Sequence, residues 1–179
     1  ILNLTRENIL NLMVDIPKNL KLAPSSPPKD GWGAFMVYAG IDSSLLENSR
    51  SLHHQIVSKE PLGNGNSVFL SISPEWDKSR APKNRRAITL STHTSMKFWE
   101  DLFQNDRQRY ELEKDKMTDK IIQMTETLFP NFREAADLIL TGTPITFQRF
   151  TKRLHGWVGG FPQTNLFRSQ SPRLAPGLW

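Results

Sequence analysis

The residues able to do chemistry in this chain are few and scattered. Of the four histidines, His53 and His54 are neighbours and point to opposite faces if they lie on a strand, while His93 and His155 stand alone. No cysteine is present, which removes thiolate metal sites and disulfides. The carboxylates crowd a lysine- and arginine-rich stretch where a solvated helix explains them. "GNGNSV" (63–68) begins like a dinucleotide fingerprint, but it lacks the last glycine and runs into a strand pattern, so it reads as a hairpin turn. Neither a nucleophile elbow, a phosphate loop nor a zinc-protease motif occurs. The sequence nominates no catalytic residue and no metal ligand set.

Two segments stand out. In "PITFQRFTKRLHGW" (144–157), Phe147, Phe150, Leu154 and Trp157 recur at helical spacing, with Arg149, Lys152 and Arg153 off that face. A basic amphipathic helix with aromatics suits a membrane interface, and it equally suits packing on its own core. The following "GWVGGFPQ" (156–163) is too glycine-rich for a good helix or strand, and lets backbone approach something closely.

The elements that must position these segments follow from periodicity. Residues 4–16 read as a helix capped at Thr5, and 23–31 as a Pro/Ser-rich loop. "GAFMVYAGI" (33–41) is almost continuously apolar, the pattern of a central strand buried on both faces. "HHQIV" (53–57), "SVFLSIS" (67–73) and "AITLSTHT" (87–94) are further strands, the first two joined by "LGNGN". From Met96 the period becomes helical: a short amphipathic turn carries Trp99, Leu102 and Phe103. A long helix then presents Tyr110, Met117, Ile121, Met124 and Leu128 on one face, and Pro130 stops it. "ADLILTG" (136–142) is a short strand, and Thr143-Pro144 caps a basic helix over about 144–153. The fold class is α+β: a mixed, largely antiparallel sheet with a long amphipathic helix and shorter helices packed on it.

Composition sets the bounds. The 179 residues suffice for one domain, with 37% hydrophobic residues. No run approaches the length that spans a bilayer. The net charge of +5 is local: past Asp137 there are five bases and no acid, whereas the earlier residues balance. Such a patch can meet an anionic cofactor, membrane or nucleic acid. The chain starts at Ile1 inside an apolar pattern and stops at "PGLW", so both ends read as cuts in a longer protein.

The C-terminal third, "TGTPITFQRFTKRLHGWVGGFPQTNLFRSQSPRLAPGLW", resembles the end of the substrate domain of phytoene desaturase-like flavoproteins. It looks most like the branch of carotenoid isomerases and later-acting carotenoid desaturases of cyanobacterial type. The pattern is Thr143-Pro144, the glycines from Gly156 to Gly160, Gln163, Arg168, Pro172 and the closing Pro176-Gly177-Leu178-Trp179. "GAFMVYAGID" (33–42), "HHQIV", "DKSRAP" (77–82) and "LFPNF" (128–132) also match, so the likeness runs from about residue 30 onward.

This resemblance implies that residues 1–179 are one substrate-binding domain, excised from an FAD-dependent enzyme whose flavin-binding segments lie beyond both ends. It implies that Gly156, Trp157, Gly159, Gly160 and Gln163 lie near the flavin. It implies also that Phe147, Phe150, Leu154, Arg149 and Lys152 meet the substrate or the membrane. The fragment alone is expected to hold no FAD and to be inactive. The substrate would be a carotenoid, undergoing desaturation or cis–trans isomerisation. The intact enzyme would sit peripherally on a membrane, on its cytoplasmic side, with no nucleic-acid partner. Two alternatives remain open: a membrane-surface or apolar-ligand binding module, and a flavin amine oxidase-like enzyme with another substrate.

Overall fold

The computed structural model describes residues 31–47 and 49–158. The expected helix over 4–16 and the loop over 23–30 lie outside the described residues, as do Gly159, Gly160, Gln163 and the "PGLW" end. Five strands form one sheet: β1 (Trp32–Asp42), β2 (His53–Val57), β3 (Ser67–Ile72), β4 (Arg85–Ser95) and β5 (Ala136–Gly142). Their order is β2-β3-β4-β1-β5, and every neighbouring pair is antiparallel. Three α-helices accompany them: α1 (Met96–Asn105), α2 (Arg107–Glu126) and α3 (Pro144–Thr151). The architecture is the α+β class that the periodicities call for.

One face of the sheet is covered. Phe35, Val37, Ala39 and Ile41 of β1, Leu70 of β3 and Leu90 of β4 are buried there. Against them pack Trp99 and Leu102 of α1 and Tyr110, Ile121 and Ile122 of α2. The Trp99 ring lies 5.3 Å from Phe35 and meets Tyr110 edge-on at 5.7 Å. Its indole N–H donates to Thr94 Oγ1 at 2.9 Å, so the polar edge of this large side chain is satisfied.

The helical region divides where its caps dictate. Ser95 ends β4 and accepts from the Phe98 amide at 3.2 Å, which starts α1. Asp106 then leaves helical geometry and accepts from the Arg109 amide at 2.9 Å, starting α2. The expected helix ends earlier than Pro130: α2 stops at Glu126, and Leu128 lies past its end, exposed. At Thr143 a reciprocal cap forms, with Thr143 Oγ1 accepting from the Thr146 amide and Thr146 Oγ1 from the Thr143 amide. Pro144 occupies the first turn, where its missing N–H costs nothing.

Two expectations need correction. Strand β1 is flanked by β4 and β5, but among the described residues only one of its faces is covered: Met36 and Tyr38 point to the other and stay partly exposed. A continuous apolar run cannot say which of its two faces the same segment of chain will cover. The helix placed over 144–153 ends at Thr151, because Lys152 adopts a left-handed conformation (φ 60°). Leu154–Gly156 is then a separate 3-10 turn with His155 at φ 55°. Phe147, Phe150, Leu154 and Trp157 therefore do not form one continuous helical stripe.

Candidate functional site

Among the described residues, two surfaces outside the core bear on the expected site residues. The first is the sheet face opposite the helices. The pairing register aligns outward side chains in rows: His53, Ser71, Thr89, Tyr38 and Leu140 form one, and Gln55, Phe69, Ser91 and Met36 the next. Leu138 and Leu140 of the edge strand β5 are 52% and 55% exposed on this face, next to Tyr38 of β1. Phe69 stacks on His53 with ring centroids 5.7 Å apart and is itself partly exposed. Beside it lies a hollow of about 420 Å³ lined by Ala34, Gln55, Val57, Leu62, Phe69 and His93, among others. The face mixes apolar side chains (Met36, Tyr38, Phe69, Leu138, Leu140) with His53, Gln55 and three hydroxyls, the apolar part densest where β5 meets β1.

One edge of that hollow is the 58–66 loop. It is held by β4 and by α2. Asn64 N–H donates to the His93 carbonyl at 2.6 Å, and Gly65 N–H donates to Thr92 Oγ1 at 3.1 Å. Lys120 of α2 donates to the Asn64 carbonyl and Asn66 Oδ1, both at 2.8 Å. Burial, then the charge of Lys59, lowers the pKa of Lys120 below the ordinary lysine value.

The second surface is a groove of about 960 Å³ between α1, α2 and α3. Phe150, Arg149, Lys152 and Leu154 line it, so the structure brings together four of the five residues expected to meet substrate or membrane. Phe150 is 75% exposed with the Arg149 guanidinium 5.5 Å from its ring centre. Phe147, the fifth, is half-buried, on the side of α3 near Gly142. Phe103 and Arg107, from the α1–α2 junction, also line the groove. Sequence reasoning missed them because the groove joins segments about 40 residues apart, which no local period reports.

Of the five expected flavin-proximal residues, Gly156 and Trp157 are described. Gly156 has φ +66°, and an added Cβ would collide with the Pro144 carbonyl. Gly33 makes the same accommodation from the other side, where a Cβ would sit 2.6 Å from Pro144 Cγ. The two glycines let the α3 N-terminus nest between β1 and the 3-10 turn. Trp157 then forms a bridge to Gly33, and Val158 N–H donates to the Trp32 carbonyl at 3.4 Å. The close approach that the glycine-rich sequence demands is thus met, at Gly156, by the chain's own backbone.

The Gly63–Gly65 turn is filled by the chain itself: a Cβ on Gly63 would lie 3.0 Å from the His93 carbonyl, and one on Gly65 would lie 3.0 Å from Lys120 Cδ and Met117 Sδ. It also leads into β3, not a helix. No cluster of metal-ligating side chains occurs among the described residues, and no described helix is long and apolar enough to cross a membrane.

No family model matches the chain. Curated relatives do. The chloroplastic prolycopene isomerase of Daucus carota is 31% identical over 134 residues, covering 71% of this chain and 21% of its own length. The chloroplastic prolycopene isomerase of Arabidopsis thaliana is 31% identical over 134 residues, with 22% of its length covered. Prolycopene isomerase 1 of an Oncidium hybrid cultivar matches equally, at 31% over 134 residues. The chain is thus similar to the prolycopene isomerases over most of its own length and spans about a fifth of theirs.

Proposed function

We propose that this chain is the substrate-side domain of an FAD-dependent oxidoreductase acting on carotenoids, by desaturation or cis–trans isomerisation of a polyene. The observation that carries this reading is the 31% identity, over 71% of the chain, to proteins named prolycopene isomerases. The open sheet face supports it. A polyene offers no group for a general acid or base to titrate, and needs instead a long apolar wall that excludes water. Tyr38, Phe69, Leu138 and Leu140 supply such a wall on a rigid sheet. Five strands at their usual spacing extend it over roughly 19 Å. The redox chemistry would belong to the flavin, housed by other parts of the protein. On this reading Gly156, Trp157, Gly159, Gly160 and Gln163 are the flavin-proximal residues that the resemblance implies. Membrane-dissolved substrates also call for peripheral contact with a bilayer, here on its cytoplasmic side, and exposed Phe150 beside Arg149 suits that.

The test uses the intact protein that contains this chain. Purified, it should carry the absorbance of an oxidised flavin and convert prolycopene supplied in vesicles, followed by chromatographic separation of the geometric isomers. Retained flavin with oxidation of amines and none of carotenoids would instead favour an amine oxidase-like enzyme. Vesicle binding with neither flavin nor turnover would favour a membrane-binding module.

A further inference from the structure

The groove between the three helices carries a charge arrangement that the open sheet face does not. Arg107 Cζ lies 3.8 Å from the centre of the Phe103 ring and 5.2 Å from that of Tyr110. On the facing helix, Arg149 lies over Phe150. Two arginine-over-phenylalanine pairs, from chain segments about 40 residues apart, thus line one groove. Lys152 adds a third cation at the end of α3.

The acids of the groove are already engaged. Glu100 pairs with His155 at 2.9 Å and Glu111 with Lys114 at 3.4 Å. Among the described residues, Arg107, Arg149 and Lys152 have no carboxylate within ion-pair distance. Gln148 places a further amide in the lining, while Gln104 Nε2 donates to Glu100 at 3.3 Å. Phe103, Phe150 and Leu154 are exposed. A guanidinium resting on an aromatic ring gives a flat cation above an apolar body. That combination suits the boundary where phosphate oxygens meet acyl chains.

We infer that this groove is a binding site for the headgroup of an anionic phospholipid, with Arg107, Arg149 and Lys152 around the phosphate and Phe103, Phe150 and Leu154 against the acyl region. The inference rests on the membrane contact proposed above and deepens it. It assigns the contact to a site built jointly by the α1–α2 junction and α3, where the amphipathic segment alone would supply only two of the three cations. Anionic lipid, not bilayer surface in general, is then what selects this face.

The test is sedimentation of the intact protein with vesicles of phosphatidylcholine alone or of phosphatidylcholine with phosphatidylglycerol. The wild-type protein should prefer the vesicles containing phosphatidylglycerol. Arg107→Gln and Arg149→Gln should each weaken that binding about fivefold, and more when combined. Both side chains are exposed, so the fold should tolerate the exchanges, with circular dichroism as the check. Lys78→Gln with Lys83→Gln, in the remote 76–84 loop, removes the same charge and should leave the preference intact. Equal loss in both double variants would overturn the site by reducing it to net charge. Binding to both vesicle types without preference would overturn it while leaving membrane contact standing. Binding to neither would remove both.

Discussion

The two faces of the sheet come from the same five strands and have opposite fates. Behind β1, every inward residue from Phe35 to Ile41 is buried under helices α1 and α2. In front, Tyr38 and its partner across the ladder, Leu140, stay exposed although both are large and apolar. A surface that had only to be soluble would put polar residues at these outward positions. The contrast separates two roles for one alternating pattern: one face holds the domain together, and the other, with Tyr38 and Leu140 in the open, is the one the substrate-side proposal assigns to the polyene.

If that division holds, substitutions on the covered face should dominate stability. Trp99→Ala removes a fully buried indole that touches Phe35 and Tyr110 and donates to Thr94. It should cost about 3–5 kcal/mol in urea unfolding of the 179-residue chain. Gly156→Ala comes next. It puts a methyl into the Pro144 carbonyl at a left-handed backbone position and should cost about 2–3 kcal/mol, loosening α3 from β1. A stability unchanged in Gly156→Ala would show that the Pro144 contact does not explain this glycine. Tyr110→Phe deletes the buried bond between its hydroxyl and Thr143 Oγ1, 2.7 Å long, and should cost about 1 kcal/mol. On the open face, Leu138→Gln and Leu140→Gln should move stability by no more than about 0.5 kcal/mol each. A loss of several kcal/mol there would mean that the open face is part of the core after all.

Much of this was legible in the sequence. The strand periods, the change to helical period at Met96, the Thr143 start of a helix and the hairpin turn at Gly63–Gly65 are local, set by caps, alternation and glycine, and the structure keeps them. The apolar run in β1 pointed to cover on both sides, and among the described residues only one side has it, because a continuous apolar run does not say which face the same chain covers. The break at Lys152 was not legible, since a lysine in left-handed conformation carries no sequence signal of the kind glycine does. That break undid the Phe147-to-Trp157 stripe. It also turned Leu154 into the groove shared with Phe103 and Arg107. The outward leucines of "ADLILTG" were the available clue to the open face. They alternate with Asp137 and Ile139, and only the pairing with β1 shows which side they take.

The measurement that bears most directly on the substrate-side reading is carotenoid turnover by the intact protein carrying Leu138→Gln and Leu140→Gln together. The control is Leu112→Gln, an equally exposed leucine on the outer surface of α2. With prolycopene in vesicles, the open-face pair should lower kcat/KM by about tenfold or more while thermal stability holds, as expected when two apolar contacts worth roughly 1–3 kcal/mol together are lost. The Leu112 variant should match the wild type. Wild-type turnover in the open-face pair would contradict the account, because the apolar face of the sheet would then have no part in holding the polyene.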